Sequence, residues 1–315
     1  MDFDMNKEKV LIIKLGYSET LDGEIGKITS LGDVLRSTVL LHLYKDAHVT
    51  WLIDEISFPL LKGNPYIQRI LSYDITSVLQ LQSERFDTVI NLEKVPGLCA
   101  FSDSLKAWRR YGFRFDPENG VALAYDGTQR ILDICMDPNY KKTAKKYWEE
   151  VLFEMVGAKW SGEGYILGYK PKSSIAYDIG FNYDVGKKWP NKAWPAEYWK
   201  ELEKRIGNKY VISWQQGLKN IEEYFEWINS CRVFVTNDSL GLHVACALKK
   251  KVIALFGPTL ASEIYIPNGV KLLPQVDYDC LPCLKPKCIQ TKLCMNYIEP
   301  NVVYDAIESI MKTHG

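Results

Sequence analysis

Short, continuous apolar runs alternate along the first half of the chain with segments whose apolar residues recur at helical spacing. A parallel strand covered on both faces carries such an unbroken run, whereas a surface helix shows the 3.6-residue period. The runs predict strands at Val10–Leu15, Val49–Ile53, Ile67–Leu71 and Phe86–Leu92. The helical segments begin at Ser30 and cover Phe58–Leu61, Ile75–Ser83 and Asp137–Gly157. This alternation predicts an α/β domain with a doubly wound sheet.

A second alternation of the same kind begins at Ile175. Its apolar runs predict strands at Ile175–Ile179, Tyr210–Ser213, Val233–Thr236 and Val252–Phe256. Helices are predicted at Ala196–Ile206, Ile221–Asn229, Leu242–Leu248 and Pro300–Lys312. The stretch between the two alternations, Ala158–Ser174, is rich in Gly, Lys and Ser and has the composition of a linker. We therefore expect two domains, at residues 1–160 and 172–315.

Composition narrows the function classes. Lys plus Arg and Asp plus Glu each number 39 in 315 residues, so no overall field attracts the chain to nucleic acid. The polar N-terminus carries no signal peptide and no apolar run reaches about 18 residues, which predicts a cytoplasmic protein. In that compartment the eight cysteines favour reduced thiols or metal ligands over disulfides.

The most informative stretch is Val233–Thr259, which predicts a strand, a polar turn, a short helix, a second strand and a Gly-Pro-Thr turn. Ligands of open parallel sheets bind outside the carboxyl ends of the strands, and helix N-termini attract phosphate. Asp238, Ser239 and His243 lie at such an edge, so we expect a phosphorylated or nucleotide-activated ligand there. A histidine in the first turn of a helix also fits a capping or packing role.

Two more residues, Asp33 and Lys192, each have a functional and a purely structural interpretation. Asp33 follows the first strand and would lie in the first turn of a helix, where it is either a general base facing an interdomain cleft or an acid that only stabilises the helix. Lys192 stands just before the helix that begins near Trp194-Pro195. It either holds a diphosphate and stabilises charge on a leaving group, or is a solvated lysine beside packed tryptophans.

Four cysteines lie within 15 residues of one another near the C-terminus, and lysines and prolines separate them. Four thiolates suit a closed tetrahedral site for zinc, iron or an iron–sulfur cluster, with a structural role. Four reduced thiols or two disulfides are the alternatives. The four are Cys280, Cys283, Cys288 and Cys294. A separate basic and aromatic run, Lys106–Arg114, could line a site for an anionic acceptor.

The motifs taken together resemble glycosyltransferase family 9, the bacterial ADP-heptose heptosyltransferases of lipopolysaccharide assembly. The resemblance spans nearly the whole chain in motif order. It is carried by Lys14 with Ser30–Val34, by Val49–Ile67, by Lys192–Pro195, and by Asn237–His243 with Phe256–Thr259 and the closing Cys-x-x-Cys loop.

The resemblance implies a GT-B fold, in which two Rossmann-like domains face a cleft. The first domain would bind the acceptor, and the second the nucleotide sugar. Asp33 would be the base of an inverting transfer of heptose to a hydroxyl, and no catalytic metal is implied, although the four cysteines could hold structural iron or zinc. The implied donor-binding residues are Lys192, Asp238, Ser239, Leu240, Gly241, Leu242 and His243. The acceptor-side residues are Lys14, Arg109 and Arg110.

Departures from the family pattern leave the acceptor open. The loop between Lys14 and Ser30 is long and could cover the acceptor site, and the glycine of the donor motif stands one place late. A long loop with a four-cysteine segment also resembles the iron-binding heptosyltransferases that modify autotransporter proteins. The acceptor is therefore a lipopolysaccharide core or a protein, and a homo-oligomer and a peripheral contact with the inner membrane both fit.

Two alternatives belong to other classes. One is a non-catalytic protein of the same fold that binds a nucleotide or a metal. The other is a dinucleotide oxidoreductase, which is disfavoured because no Gly-x-Gly-x-x-Gly follows a strand with an acid about 20 residues further on.

Overall fold

The computed structural model describes residues 7–17, 26 and 28–312, which form two compact units, 1–169 and 170–315. The long loop predicted after Lys14 falls largely outside the described residues. Each unit is built on its own sheet, mainly parallel in the first unit and wholly parallel in the second, with helices packed against it.

The sheet of the first unit has six strands in the order β3-β2-β1-β4-β5-β6. They are β1 Lys9–Ile13, β2 His48–Ile53, β3 Arg69–Ser72, β4 Arg85–Asn91, β5 Lys106–Asp116 and β6 Val121–Ala124. All neighbours are parallel except β5 and β6, which form an antiparallel hairpin. The central strands are buried along almost their whole length, as their unbroken apolar runs require.

The helices of the first unit connect these strands or follow β6. They are α1 Leu31–Ser37, α2 Phe58–Leu61, α3 Ile75–Ser83, α4 Pro96–Ser104, α5 Gln129–Met136, α6 Pro138–Ala144 and α7 Trp148–Met155. The single helical pattern predicted over Asp137–Gly157 is wrong in its extent. Asp137 caps α6 through the N–H of Asn139, and Lys145 ends that helix in a left-handed conformation at φ 44°.

The second unit has a five-stranded parallel sheet in the order β11-β10-β9-β7-β8. Its strands are β7 Tyr177–Asn182, β8 Ile212–Trp214, β9 Cys231–Asn237, β10 Lys251–Leu255 and β11 Gly269–Leu272. The helices are α8 Ala196–Ile206, α9 Ile221–Ser230, α10 Leu240–Ala247 and α11 Pro300–Lys312. Among the described residues of both units, no helix combines the length and the apolar character needed to cross a membrane.

The core of the second unit is aromatic and holds the segment that follows Lys192. Trp194 is 2% exposed, and its ring meets that of Trp199 edge-on at 4.9 Å. The indole Nε1 of Trp194 donates to the carbonyl of Ile298 at 2.8 Å. Because buried tryptophans need a partner for the N–H, this bond sets the orientation of the ring and of the backbone before α8.

Each sheet has one point where the strand order reverses direction. In the first unit it lies between β1 and β4, and in the second between β7 and β9. Helices leave the sheet toward opposite faces at such a point, which opens a crevice at the carboxyl ends of the two strands. These two crevices are the places where a fold of this kind can bind a ligand.

Candidate functional site

A buried polar network closes the carboxyl ends of β7 and β9. Asn182, fully buried at the end of β7, donates from Nδ2 to Thr236 Oγ1 at 2.8 Å and to Ser239 Oγ at 3.0 Å. The Tyr224 hydroxyl donates to Asn182 Oδ1 at 2.6 Å. Since both ends of the Asn182 amide are satisfied, the network holds the turn between β9 and α10 in one geometry.

A second asparagine joins the Lys192 segment to the same strand ends. Asn237 is fully buried, and its Oδ1 accepts from the N–H of Trp194 at 3.1 Å. Its Nδ2 donates to the carbonyl of Tyr183 at 3.1 Å. Lys192 ends the 3-10 helix Pro190–Lys192, two residues before Trp194, so this bond sets the position from which the lysine side chain extends.

Lys192 and Asp238 form a buried ion pair at this switch point. The distance from Lys192 Nζ to Asp238 Oδ2 is 2.9 Å, with the two side chains 10% and 9% exposed. The hydroxyl of Thr259 donates to the same carboxylate oxygen at 2.7 Å, and the ammonium lies 4.9 Å from the centre of the Trp189 ring. Three elements therefore converge on one carboxylate.

The charge state of Asp238 follows from these contacts. Burial alone would raise the pKa of Asp238, but Lys192, His243 and the Thr259 hydroxyl outweigh it and hold that pKa well below its usual range. A carboxyl whose folded-state pKa is depressed adds stability above its unfolded pKa and loses that contribution as the pH falls through the folded value. The ion pair therefore stabilises the fold at neutral pH and is lost only in strong acid.

Helix α10 begins at this carboxylate. Ser239 is its N-cap residue in extended conformation, Leu240 is the first helical residue, and Gly241 and His243 are buried in the first turn. The side chain of Leu242 is in the core, and its N–H donates to the Ser239 carbonyl. An ammonium, a histidine and a helix N-terminus together form a site suited to a diphosphate.

Gly241 has no room for a side chain. A Cβ at this position would overlap the Tyr224 hydroxyl and lie 2.7 Å from Asn182 Nδ2. We expect Gly241→Ala to push the Asn182 amide away from the turn before α10, to lower the free energy of unfolding by about 1–3 kcal/mol, and to weaken nucleotide binding. Urea denaturation and nucleotide titration measure the two effects.

Gly97 in α4 supplies the matched control, since a Cβ built there meets nothing within 4 Å. Gly97→Ala should leave the unfolding free energy unchanged or raise it by about 0.4–1 kcal/mol. Equal effects of the two substitutions would contradict the crowding argument at Gly241.

The first unit brings Lys14 and Asp33 together at its own switch point. Lys14 is buried at the end of β1, and its Nζ lies 3.3 Å from Oε1 of Glu93, which follows β4. Asp33 is in the first turn of α1 and forms an ion pair with Arg36 at 3.5 Å. Burial alone would lower the pKa of Lys14, but Glu93 and Asp33 outweigh it and raise that pKa.

The predicted acceptor-side arginines do not join this group. Lys106–Arg114 lies within the strand β5, where Arg109 is in register with Thr88 of β4, and Thr88 with Val10 of β1. Val10 precedes Lys14 by about 13 Å along the strand. Arg109 pairs with Glu8 at 2.7 Å, and Arg110 donates to the carbonyls of Leu105 and Ala107. Both arginine side chains therefore make their contacts away from Lys14, toward the amino end of the strands.

The four cysteines do not form a metal-binding group in this structure. Within the described residues, no three His, Cys, Asp or Glu side chains are grouped closely enough to hold a metal ion. Cys294 begins a 3-10 helix and is 6% exposed, with its Sγ 2.8 Å from where a Cβ on Gly257 would lie. Burial first, and the neighbouring thiols second, raise the pKa of Cys294 to about 11, so it is a protonated thiol at neutral pH. Metal binding by this segment stays a prediction from the sequence.

Two polar residues of the two sites, Glu93 and Asn182, were not predicted from the sequence. Asn182 ends β7 and Glu93 follows β4, both at the carboxyl edge of a sheet. This position could have identified them from the sequence, because polar residues at the carboxyl end of a buried strand are those that face the crevice. Their partners could not be read, since each contact joins strands far apart in sequence.

Comparison with known proteins finds a family match in the second unit. Residues 217–294 match Glycosyltransferase family 9 (heptosyltransferase), a range that includes Asp238, His243 and the four cysteines but not Lys192 or Asp33. A curated relative, lipooligosaccharide heptosyltransferase 2 of Campylobacter jejuni subsp. jejuni serotype O:2, is 31% identical over 85 residues, 26% of each chain. The match thus spans about a quarter of that relative's length.

Solved structures with this fold cover the whole chain. A family 9 glycosyltransferase from Veillonella parvula DSM 2008 aligns with a TM-score of 0.68 at 19% identity, over 99% of both chains. The ADP-heptose lps heptosyltransferase II of E. coli aligns with a TM-score of 0.64 at 15% identity, over 97% of this chain and 99% of that one. The predicted resemblance and the GT-B fold are confirmed.

Proposed function

We propose that this chain, a relative of glycosyltransferase family 9 through its residues 217–294, is an inverting glycosyltransferase that moves a heptose from ADP-heptose to a hydroxyl of a lipopolysaccharide-type core. The observation that carries the proposal is the buried Lys192–Asp238 pair at the N-terminus of α10. An ammonium held in a dry site beside helix N–H groups suits a nucleotide diphosphate.

The chemistry divides between the two units. Asp33 takes the proton of the acceptor hydroxyl as the oxygen attacks the anomeric carbon from the face opposite the diphosphate. The bond from that carbon to the diphosphate oxygen breaks, and a single displacement inverts the configuration. Lys192 and the N–H groups of α10 stabilise the charge that builds on the departing ADP.

The sugar, the nucleotide and the acceptor class are supported by the relatives and not by the geometry. The curated relative is a lipooligosaccharide heptosyltransferase, and the E. coli structure is of an ADP-heptose enzyme. A protein acceptor is the competing outcome, which the transfer assay distinguishes when both a core glycolipid lacking heptose and a serine-rich acceptor protein are supplied.

A thermal-shift panel with ADP, UDP, GDP, CDP and NAD tests the donor site. ADP at about 100 times its dissociation constant should add about 2.7 kcal/mol to the apparent stability. The shift should disappear in Lys192→Ala, because the diphosphate loses its cationic partner.

Lys209→Ala is the matched control for this panel. Lys209 forms an exposed ion pair with Glu308 at 2.5 Å, beyond the end of α8 and before β8, so it lies at the amino edge of the same sheet. This variant should keep the full ADP shift. A thermal shift by UDP or GDP alone would support a glycosyltransferase but contradict ADP-heptose as the donor. A shift by NAD alone would favour an oxidoreductase.

A further inference from the structure

A buried carboxylate fills the first turn after β1. Glu93 is fully buried, and its Oε1 accepts from the backbone N–H groups of Leu15 at 2.8 Å, Gly16 at 2.7 Å and Tyr17 at 3.3 Å. Lys14 Nζ lies 3.3 Å from the same oxygen. Consecutive N–H groups of this kind form a concave anion site, and Gly16 at φ 88° supplies the left-handed residue that such a turn needs.

In many α/β folds the turn after the first strand holds a phosphate of the ligand. Here the carboxylate of Glu93 occupies the N–H groups, so this turn has no capacity left for an anionic ligand. The other oxygen, Oε2, is buried and has no hydrogen-bond partner among the described residues. A buried polar atom in that state costs about 1–3 kcal/mol, and such atoms often mark functional sites.

Glu93 is itself held by two backbone hydrogen bonds, and one of its partners is bonded in turn to β5. Its N–H donates to Asn91 Oδ1 at 3.1 Å, and Asn91 Nδ2 donates to the carbonyl of Phe113 at 2.7 Å. The Cys99 thiol donates to the carbonyl of Glu93 at 3.2 Å. The backbone of Glu93 is therefore fixed among β4, β5 and α4, and from there its carboxylate binds the turn after β1.

One chain of contacts leads from Glu93 to the backbone of Asp33. The carbonyl of Gly16 accepts from the N–H of Ser30 at 2.8 Å, and Ser30 precedes α1. A Cβ on Gly16 would lie 2.7 Å from the Ser30 carbonyl oxygen, so only glycine permits this approach. The carboxylate thus fixes Gly16, Gly16 fixes the start of α1, and Asp33 is in the first turn of that helix.

A second connection is electrostatic. Lys14 is buried beside Glu93, and the charges of Glu93 and Asp33 raise the pKa of its ammonium although burial alone would lower it. The ammonium is therefore protonated at neutral pH, and the negative charge of Glu93 opposes the field that the ammonium exerts on Asp33. Arg36 acts on Asp33 from the same helix at 3.5 Å. Elements packed against α1 carry further titratable groups, namely His42, Glu55, Glu149, Glu150 and Glu154, and Cys135 of α5 acts on Lys14.

We propose that Glu93 is a positioning residue for Asp33, which it places through Gly16 and Ser30 and whose charge environment it sets by neutralising Lys14. The proposal rests on the proposed function, in which Asp33 is the base. It extends that function by assigning a role to a buried carboxylate whose contacts are with the turn after β1 and with Lys14.

The test is the pH dependence of kcat in three variants. Glu93→Gln keeps the shape and leaves the Lys14 charge without its partner, so the acid limb, where the base becomes protonated, should move to lower pH by about one unit, and kcat should fall about tenfold. Lys14→Met leaves the Glu93 charge alone and should move the limb to higher pH. In the double variant both charges are absent, and the limb should return close to its wild-type position. The donor KM should stay within twofold throughout.

Glu84→Gln is the control for loss of an ion-paired carboxylate, since Glu84 pairs with Arg69 at 2.5 Å on the edge of the same unit. It should leave the acid limb unmoved. If Glu93→Gln does not fold, Lys14→Met and the double variant still show in which direction the acid limb moves. Removing both members of a buried ion pair is tolerated better than removing one.

A fall in kcat without movement of the acid limb in these variants would reduce Glu93 to a structural role and overturn the proposal. The proposed function is tested separately by Asp33→Asn. Wild-type kcat in that variant would show that Asp33 is not the general base, whatever the result for Glu93.

Discussion

Asp33→Asn is expected to lower kcat by about 10²–10⁴-fold, the range that a positioned general base contributes. The amide keeps the size of the side chain and its place in the first turn of α1, but it cannot accept the proton of the acceptor hydroxyl. Binding of ADP should be unchanged, because the donor residues belong to the second unit. Single-turnover transfer from ADP-heptose and the thermal shift by ADP measure the two quantities.

Asp116→Asn is the control for removing a carboxylate from the first unit. Asp116 is in the exposed hairpin between β5 and β6, where it accepts from Asn119 Nδ2 at 2.7 Å. This variant should keep the wild-type kcat. Wild-type activity in Asp33→Asn would contradict the assignment of the base, whereas loss of activity together with loss of the ADP shift would indicate damage to the fold.

Strands buried on both faces were predictable from the sequence. β1, β2, β4, β9 and β10 are rich in apolar residues because helices cover both faces of the sheet, and each prediction is confirmed to within two residues. β5 was missed because eight of its eleven residues are exposed or half-buried charged and aromatic side chains, Trp108 among them at 80%. β11, another edge strand, is exposed or half-buried throughout and carries no such signal.

The site residues were predictable only as far as they stand next to a strand end. Asp238 and Lys14 were found because each follows a buried strand directly. The positions of the other site residues depend on the register between strands. The position of Arg109 toward the amino end of the strands could not be predicted, because its pairing with Thr88 cannot be read from the sequence. Glu93 was missed for the same reason, since its contact with Lys14 joins residues 79 positions apart and depends on the pairing of β1 with β4.

Lys192→Met is expected to affect both stability and catalysis, and a double variant separates the two effects. Removing the ammonium leaves the Asp238 carboxylate buried without its cation, which costs about 3–5 kcal/mol of unfolding free energy. It also removes a charge that stabilises the departing diphosphate, worth about 10²–10³-fold in kcat. Lys192→Met with Asp238→Asn should recover most of the lost stability, since no unpaired charge remains, but none of the lost activity. Urea denaturation and steady-state transfer kinetics measure each variant, with Lys209→Ala as the surface control. Recovery of activity together with stability in the double variant would show that Lys192 only holds the turn before α10, and that the charge on the leaving group is stabilised elsewhere.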